Sequence, residues 1–563
     1  MSIRVVLRRT LSVSAVLVFT IMSTYHIVRH DMANMIENYT GKKYSSPSAH
    51  MANTANKKDG PANKKDGPSQ QRQNIVLVLI DDLGIGDLKC YGSSFHETPH
   101  IDALAAAGVK FTSAYAAHPK CGPARLALFS GVYPARMGSP HQEELKKYEM
   151  PNAFECQKKM GYRQMRLPLQ VTSMGDAFKL NGYRTGYHGK WHFGNADGRG
   201  LPHDHGFEIS IGATNLGAVQ SHFYPYTNPN AYKQNPPPPM PERSDGTYMA
   251  DQLTDEAIGT IKTFKNDPFL VVLAHYAVHV PIEAPEDLVG PYTKKRKLLN
   301  ATDQFTHDHG AVYRTSQDHA GYGGMMTAVD NSLGRVMQAL KDMGLDKNTT
   351  VVFTSDNGGL ASSIKEKNMP DTPTTNHPYR HGKTWLYEGG IRVPLIVHAP
   401  DRKPVEGGES AFLTTGTDMY PTLLDLAGLP LQPKDHVDGI SFAEAVTTNM
   451  DGAVRGGPLF WHFAVAPDQK LGRGQPACSA VLEGRWKLLD FYTEGKGGKR
   501  ELYDIRNDPY EKNNVSKENP EITRRMFIKI KEWRRTWADE KFYEKEMKKG
   551  DDGICVAPEG LNI

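Results

Sequence analysis

Three segments of this chain are continuous runs of apolar, largely β-branched residues, and each stops abruptly at polar ones. Asn74-Ile75-Val76-Leu77-Val78-Leu79-Ile80 ends at Asp81-Asp82, Phe269 to Ala274 ends at His275 with His279 just beyond, and Thr349 to Thr354 leads into Asp356-Asn357-Gly358-Gly359. A strand apolar on both faces has to be covered on both faces, which is the situation of a parallel sheet between layers of helix. The stretch Ile101 to Val109 (IDALAAAGV) has helical spacing and Gly108 near its end, so the first strand is followed by a helix, as in βα units. A further helix is predicted from Tyr248 to Phe264. Tyr322, Met325, Met326, Val329, Leu333, Val336, Met337 and Leu340 recur at three- and four-residue spacing up to Gly344, the core stripe of a crossover helix. Open α/β sheets build their sites at the carboxyl ends of strands. Three such ends here carry acids, an amide and histidines.

Beyond about residue 455 the texture changes to short strand-like pieces, Trp486 to Tyr492 and Glu501 to Ile505. A turn at Asn507-Asp508-Pro509 and a basic amphipathic helix around Met526, Ile530, Trp533 and Trp537 follow. The reading is a domain over 74–455 and a small C-terminal α+β domain over 456–563. Before residue 74 the chain has a different character. Arg4, Arg8 and Arg9 precede the apolar run Leu11 to Met22, which has the order of an export signal and, if extended through Ile27, of an uncleaved anchor. Residues 1–31 are therefore expected to be a signal peptide or signal anchor, with membrane association only in the uncleaved form. Residues 32–73 contain the tandem ANKKDGP repeat of Ala55 to Pro68, which has nothing to bury and reads as a linker. A net charge of only +4 over 563 residues gives no bulk attraction to nucleic acid, so none is expected as a partner. Five cysteines leave one odd thiol. With Cys121 set aside, Cys90, Cys156, Cys478 and Cys555 allow up to two disulfides, or four free thiols.

Cys121-Gly122-Pro123-Ala124-Arg125, continued by Leu128, Ser130 and Gly131, opens a predicted helix. A group at a helix N-terminus feels the positive end of the dipole, and Arg125 adds a fixed positive charge one turn on. The pattern C-x-P-x-R-x-x-L-x-S-G, some forty residues after Asp81-Asp82, resembles the signature of the type I sulfatases. Four further segments carry the same resemblance in order: Asp81-Asp82, Gly182-Tyr183-Arg184-Thr185-Gly186-Tyr187-His188-Gly189-Lys190-Trp191-His192, Asp356-Asn357-Gly358-Gly359, and Lys383 followed by Tyr387-Glu388-Gly389-Gly390-Ile391-Arg392-Val393-Pro394. Gly122 and Ala124 stand where that family commonly has Ser or Thr, and Phe129-Ser130-Gly131 replaces its commoner Leu-Thr-Gly.

The resemblance implies an alkaline-phosphatase-like fold, a large mixed central sheet flanked by helices plus a small C-terminal antiparallel α+β domain. It implies a sulfuric ester hydrolase whose Cys121 is oxidised to formylglycine by a formylglycine-generating enzyme. Asp81, Asp82, Asp356 and Asn357 offer only hard oxygens, which suit Ca²⁺ or Mg²⁺ rather than zinc, with residue 121 completing the shell. Arg125, Lys190 and Lys383 are expected around the sulfate as electrostatic clamps. The family further implies that His279, with Lys383, protonates the leaving alcohol, that Asp356 activates the nucleophile, and that His192 takes the proton whose removal releases sulfate.

His188, His275 and His381 read as structural histidines, and His307-Asp308-His309 with His319 reads as a loop before a helix rather than a second metal site. Tyr224, Tyr226, Asn228, Pro236 to Pro239, Asn376 to His381 and Trp461-His462 are pocket-wall candidates suited to a sugar ring. A sulfated carbohydrate is the expected substrate. Two rival readings stay open: a phosphonate monoester or phosphodiester hydrolase of the same superfamily, and an inactive extracellular sugar-binding relative.

Overall fold

The seven residues of β1 (Asn74–Ile80) are all buried and serve two cores at once. Ile75, Leu77 and Leu79 point into one, while Val76, Val78 and Ile80 point into the other. That period-two division follows from strand geometry, and each buried aliphatic side chain contributes roughly 1.5–3 kcal/mol. The protein is described by a computed structural model over residues 72–137, 167–169, 171–194, 198–230, 235–363, 372–404, 408–448, 455–463, 475–491 and 498–536. The expected signal segment, the ANKKDGP repeat, Cys156, Trp537 and Cys555 lie outside these.

The other strands of the large sheet are β2 (Val109–Phe111), β3 (Arg184–Gly189), β4 (Ile209–Ile211) and β5 (Phe269–Ala274). After the separate hairpin β6 (Phe305–Asp308) and β7 (Ala311–Arg314) come β8 (Thr349–Ser355), β9 (Leu395–His398) and β10 (Glu409–Ser410). Their order is β10-β2-β9-β8-β1-β5-β3-β4. The β8-β1-β5-β3-β4 block is parallel, whereas β9 runs antiparallel to both β8 and β2, so the sheet is mixed.

Helices α1 (Pro99–Ala107), α2 (Cys121–Ser130), α3 (Met249–Phe264), α4 (Glu286–Leu298) and α5 (Ala320–Asp342) follow in chain order. The Met-rich stripe of α5 packs with α1 and α3 on the face of Val76 and Val78, while α2 packs on the opposite face. Among the described residues no helix is long and apolar enough to cross a membrane.

The C-terminal sheet is antiparallel, in the order β11 (Leu459–Phe463), β12 (Cys478–Glu483), β13 (Trp486–Phe491) and β14 (Lys499–Asp504). Its Val481, Leu488 and Leu502 face Met526 and Ile530 of α6 (Pro520–Arg535). Its other side, through Trp461, Phe463, Leu489 and Phe491, packs on Trp385, Leu386 and Tyr387. This small sheet therefore backs the segment that carries Lys383.

Two expectations are corrected here. His307-Asp308-His309 is not a loop: His307 and Asp308 lie in β6, paired with β7, and Asp308 is held by Arg380 and His381. Among the described residues the metal-competent cluster is elsewhere, at Asp81, Asp82 and Cys121. Several wall candidates are core instead. Trp461 is buried and donates through Nε1 to Ala116 O, His462 is buried against Ser479, Tyr226 bonds Gln252, and Asn376 bonds the backbone of Gly359 and His381. Among the described residues Cys90, Cys121 and Cys478 are not paired with one another.

Candidate active site

Parallel pairing brings the carboxyl ends of β1, β5 and β8 side by side, and the backbone just beyond them is cross-linked. Asp81 N donates to Ala277 O (3.1 Å), Val278 N to Asp81 O (2.9 Å), and Asp356 N to Ile80 O (3.2 Å). At the end of β3, Gly189 has φ 101°, and a Cβ there would fall 2.0 Å from Ala274 O. Only glycine lets the chain turn this close to β5, after which Lys190 N donates to Ala274 O (2.8 Å). The G-K-W-H spelling is thus a packing requirement that delivers Lys190.

The side chains at these ends form one buried cluster of charge. Asp82, held at φ 60°, receives Lys383 Nζ on Oδ2 (2.7 Å) and Asn357 Nδ2 on Oδ1 (2.8 Å), with His279 Nε2 at 3.7 Å from Oδ2. Its own backbone N–H donates to Asp356 Oδ1 (3.2 Å). Lys190 Nζ bonds Asp81 Oδ2. Arg125 is fully buried beneath: Nε donates to Asp356 Oδ2 (2.7 Å) and Nη1 to Lys190 O (2.5 Å). Arg125 thus fixes Asp356 and the Lys190 backbone, and both Asp356 oxygens already accept a hydrogen bond. Cys121 is the first residue of α2, and ligand atoms of Asp81, Asp82 and Cys121 lie within 4.8 Å of one another.

Electrostatics follow from burial. It pushes Asp81 up to about 8, opposed by Lys190 and reinforced by Asp356 and Asp82. Asp82 is just as buried, yet Lys383, His279 and Lys190 together hold it below the ordinary carboxylate range. Burial also raises the Cys121 thiol, against the pull of Lys190 and Lys383, so the helix dipole does not leave an activated thiolate here. The His279 imidazole is driven well below its usual value, first by burial and then by Lys383 and Lys190. Its Nδ1 donates to Val280 O (2.8 Å), which leaves Nε2 facing the acids.

The cluster fits a hard divalent cation. Asp81 Oδ1 and Asn357 Oδ1 are buried without a hydrogen-bond partner, and three carboxylates converge where two lysines and an arginine are already engaged. Buried unpaired oxygens of this kind are costly unless something cationic answers them.

Of the residues picked out in the sequence, Asp81, Asp82, Cys121, Arg125, Lys190, His279, Asp356, Asn357 and Lys383 meet in this cluster. His192 follows Lys190 at φ 71°, its backbone N on Thr214 O and its ring against Gly217, where a Cβ would fall 2.0 Å from Nε2. The structure adds groups that sequence reading passed over. His222 Nε2 donates to His279 O (3.1 Å), while Glu283 Oε2 accepts from His222 N and Ser221 Oγ, both at 2.8 Å, so this pair steadies the His279 turn. Tyr187 OH donates to Lys190 O. Tyr187 sits inside a motif; nothing in the sequence ties His222 to His279 57 residues away.

Residues 73–429 match the sulfatase family model, and residues 377–536 match that of the N-sulphoglucosamine sulphohydrolase C-terminal region. The chain belongs to the sulfatase family. It is 31% identical over 413 residues to the N-acetylgalactosamine-6-sulfatase of Rattus norvegicus, covering 70% of this chain and 68% of that one. It is 30% identical over 527 residues to a sulfatase of Formosa agariphila, covering 82% and 89%. Among solved structures it is similar to Ps i-CgsB in complex with k-i-k-neocarrahexaose, with TM-score 0.63, 27% identity, and 82% and 93% of the two chains covered. This sulfatase is accordingly a sulfuric ester hydrolase of the alkaline-phosphatase-like fold.

Proposed function

We propose that this sulfatase removes sulfate from a sulfated carbohydrate, using a formylglycine made from Cys121 by a formylglycine-generating enzyme and a divalent cation, Ca²⁺ or Mg²⁺. The observation that carries the reading is the convergence of Asp81 and Asp82 on Cys121 at the start of α2, with Asp356 and Asn357 bonded to Asp82 and with Lys190 and Lys383 alongside. Asp81, Asp82, Asp356, Asn357 and residue 121 would hold the cation. Together the aldehyde hydrate and the cation would supply an oxygen nucleophile and offset the charge of the sulfate.

The chain's own residues have separable tasks. Arg125 keeps Asp356 aimed through the Nε–Oδ2 hydrogen bond. Lys190 and Lys383 place two ammonium groups in a dry site, where fixed charges act far more strongly on an anion than they do in water. His279 presents Nε2 to that space from a turn fixed by His222, and once protonated it is a strong acid that gives its proton to the departing alcohol oxygen. In the balanced reaction, ester and water yield the alcohol, inorganic sulfate and one proton. Support for a carbohydrate comes from relatives whose names specify N-acetylgalactosamine 6-sulfate and from the neocarrahexaose complex. The Arg-rich start and the Leu11 to Met22 run support export from the cytoplasm.

Two measurements test this. Lys120 and Arg125 bracket a tryptic peptide, so mass spectrometry reads directly whether residue 121 has lost sulfur and gained oxygen. A panel of sulfated sugars with sulfate release as readout tests the substrate class. Full turnover from protein bearing an unmodified thiol would overturn the formylglycine reading, and turnover of aryl sulfates with no sugar sulfate accepted would overturn the carbohydrate.

A further inference from the structure

Lys383 reaches Asp82 from a segment whose backbone is forced. His381 has φ 56° and Thr384 has φ 77°, the latter a β-branched residue for which the left-handed region is a true outlier. Such geometry is unfavourable for these residues and persists only where the surroundings over-determine it. Two backbone bonds tie the segment inward, Lys383 N to Gly359 O (2.9 Å) and Thr384 N to Pro119 O (2.8 Å). Outward, Arg380 Nη1 donates to Tyr503 OH (2.8 Å) and Glu511 O (3.3 Å), and Asn376 Nδ2 donates to His381 O (3.2 Å), but one side chain holds Arg380 and His381 together. Asp308, at the end of β6 and outside every motif, accepts Arg380 Nη2 on Oδ1 (2.9 Å) and takes both Arg380 Nε and His381 Nε2 (3.1 Å) on Oδ2. His381 in turn stacks on Trp385 at 3.8 Å and 10°, and Arg380 lies over Tyr387 at 4.0 Å. Two residues just before Lys383 are therefore held by a carboxylate that itself touches none of the site's acids or lysines in the contacts described.

We propose that Asp308 is a positioning residue for Lys383: by fixing Arg380 and His381 it holds the 380–385 backbone in the conformation that aims the Lys383 ammonium at the sulfate. This rests on the reading of Lys383 as a sulfate-facing cation. A carboxylate that merely braced the β6–β7 hairpin would lower stability and leave the anion site as it is. One that acts through Lys383 changes anion affinity only while Lys383 is present.

The test is a double-mutant cycle on the purified, metal-loaded full chain, with inorganic sulfate as the probe and affinity read from the sulfate-dependent rise in melting temperature. Asp308→Asn and Lys383→Met should each weaken sulfate about tenfold or more, and the double variant should match Lys383→Met alone within about twofold. Arg380→Lys, which keeps the charge but loses the two-pronged grip, provides a milder second entry and should show the same disappearance in the Lys383→Met background. Losses that multiply in the double variant, or an Asp308→Asn protein with unchanged sulfate affinity, would overturn the proposal. If Lys383→Met itself leaves sulfate affinity intact, the reading of Lys383 fails first and the positioning role falls with it.

Discussion

Asp82 is where the charges of the site meet: one carboxylate carries Lys383, Asn357 and the approach of His279, in a left-handed backbone that few non-glycine residues occupy. Replacing it leaves Lys383 without the carboxylate it bonds and removes one of the oxygens proposed to hold the cation. Asp82→Ala and Asp356→Ala should therefore lose bound metal and drop turnover by about 10³ or more while keeping secondary structure, checked by elemental analysis, sulfate release and circular dichroism. For His279 the expectation depends on the substrate. His279→Ala should cost roughly 10² to 10⁴ on sugar sulfates, whose alkoxide needs a proton, and far less on aryl sulfates, whose phenolate leaves unaided. Equal losses on both, with chemistry rate-limiting, would reassign His279 to sulfate binding and leave Lys383 as the acid. These residues were legible because each occupies a fixed place in a short local pattern. His222, Glu283 and Asp308 were not, because each earns its role from a partner 50 or more residues away.

Elements with a continuous apolar run, β1, β5 and β8, were readable from composition alone, as was the three-and-four spacing of α5. The β6–β7 hairpin escaped because Phe-Thr-His-Asp alternates exposed and half-buried positions and has no apolar face to announce a strand. The three-residue β2 and β4 likewise owe their strand character to neighbours in the sheet. The same dependence on tertiary partners governs the junction between the C-terminal sheet and the Tyr387–Pro394 motif. Lys487 of β13 is fully buried and pairs with Glu388 and Glu511, each at 2.8 Å, while Tyr115 and Arg392 also bind Glu388. Lys487→Met leaves two buried carboxylates facing one another and should destabilise the protein by about 3–5 kcal/mol in urea unfolding. The comparison is Arg485→Ala on the same strand turn, whose pair with Asp504 is 44% exposed on the arginine side and should cost no more than about 1 kcal/mol. A similar small change for both would mean that the triad contributes no more than a surface pair.

Across the whole molecule, burial of uncharged histidines sets the response to acid. Burial lowers His188 and His275 to about 3 and His222 and His381 to about 4, in each case as the largest cause. In the unfolded chain these rings take up protons as pH falls through about 6.5, whereas the folded protein refuses them until far lower. The unfolded state thus binds more protons between about pH 6.5 and 4, so stability falls as pH falls through that window. Raised acids work the other way: Asp81, at about 8, and Glu511, at about 7, keep protons that the unfolded chain releases above about 4, and burial raises Asp87, Asp251 and Asp330 as well. Burial lowers His96, His205, His319 and His462 too, so the lowered histidines outnumber the raised acids and the net slope should make the fold less stable at pH 5 than at pH 7. His188 isolates the cause, because both of its ring nitrogens are buried without a hydrogen-bond partner and removing them breaks no bond. His188→Leu should therefore stay folded and recover on the order of 2 kcal/mol of the stability lost between pH 7 and pH 5, read from urea midpoints at the two pH values. An unchanged slope in that variant would show that the ring is already protonated in the native protein at pH 5, and the acid response would then rest on His222, His275 and His381, because carboxylates held below their ordinary range lose stability only below about pH 4.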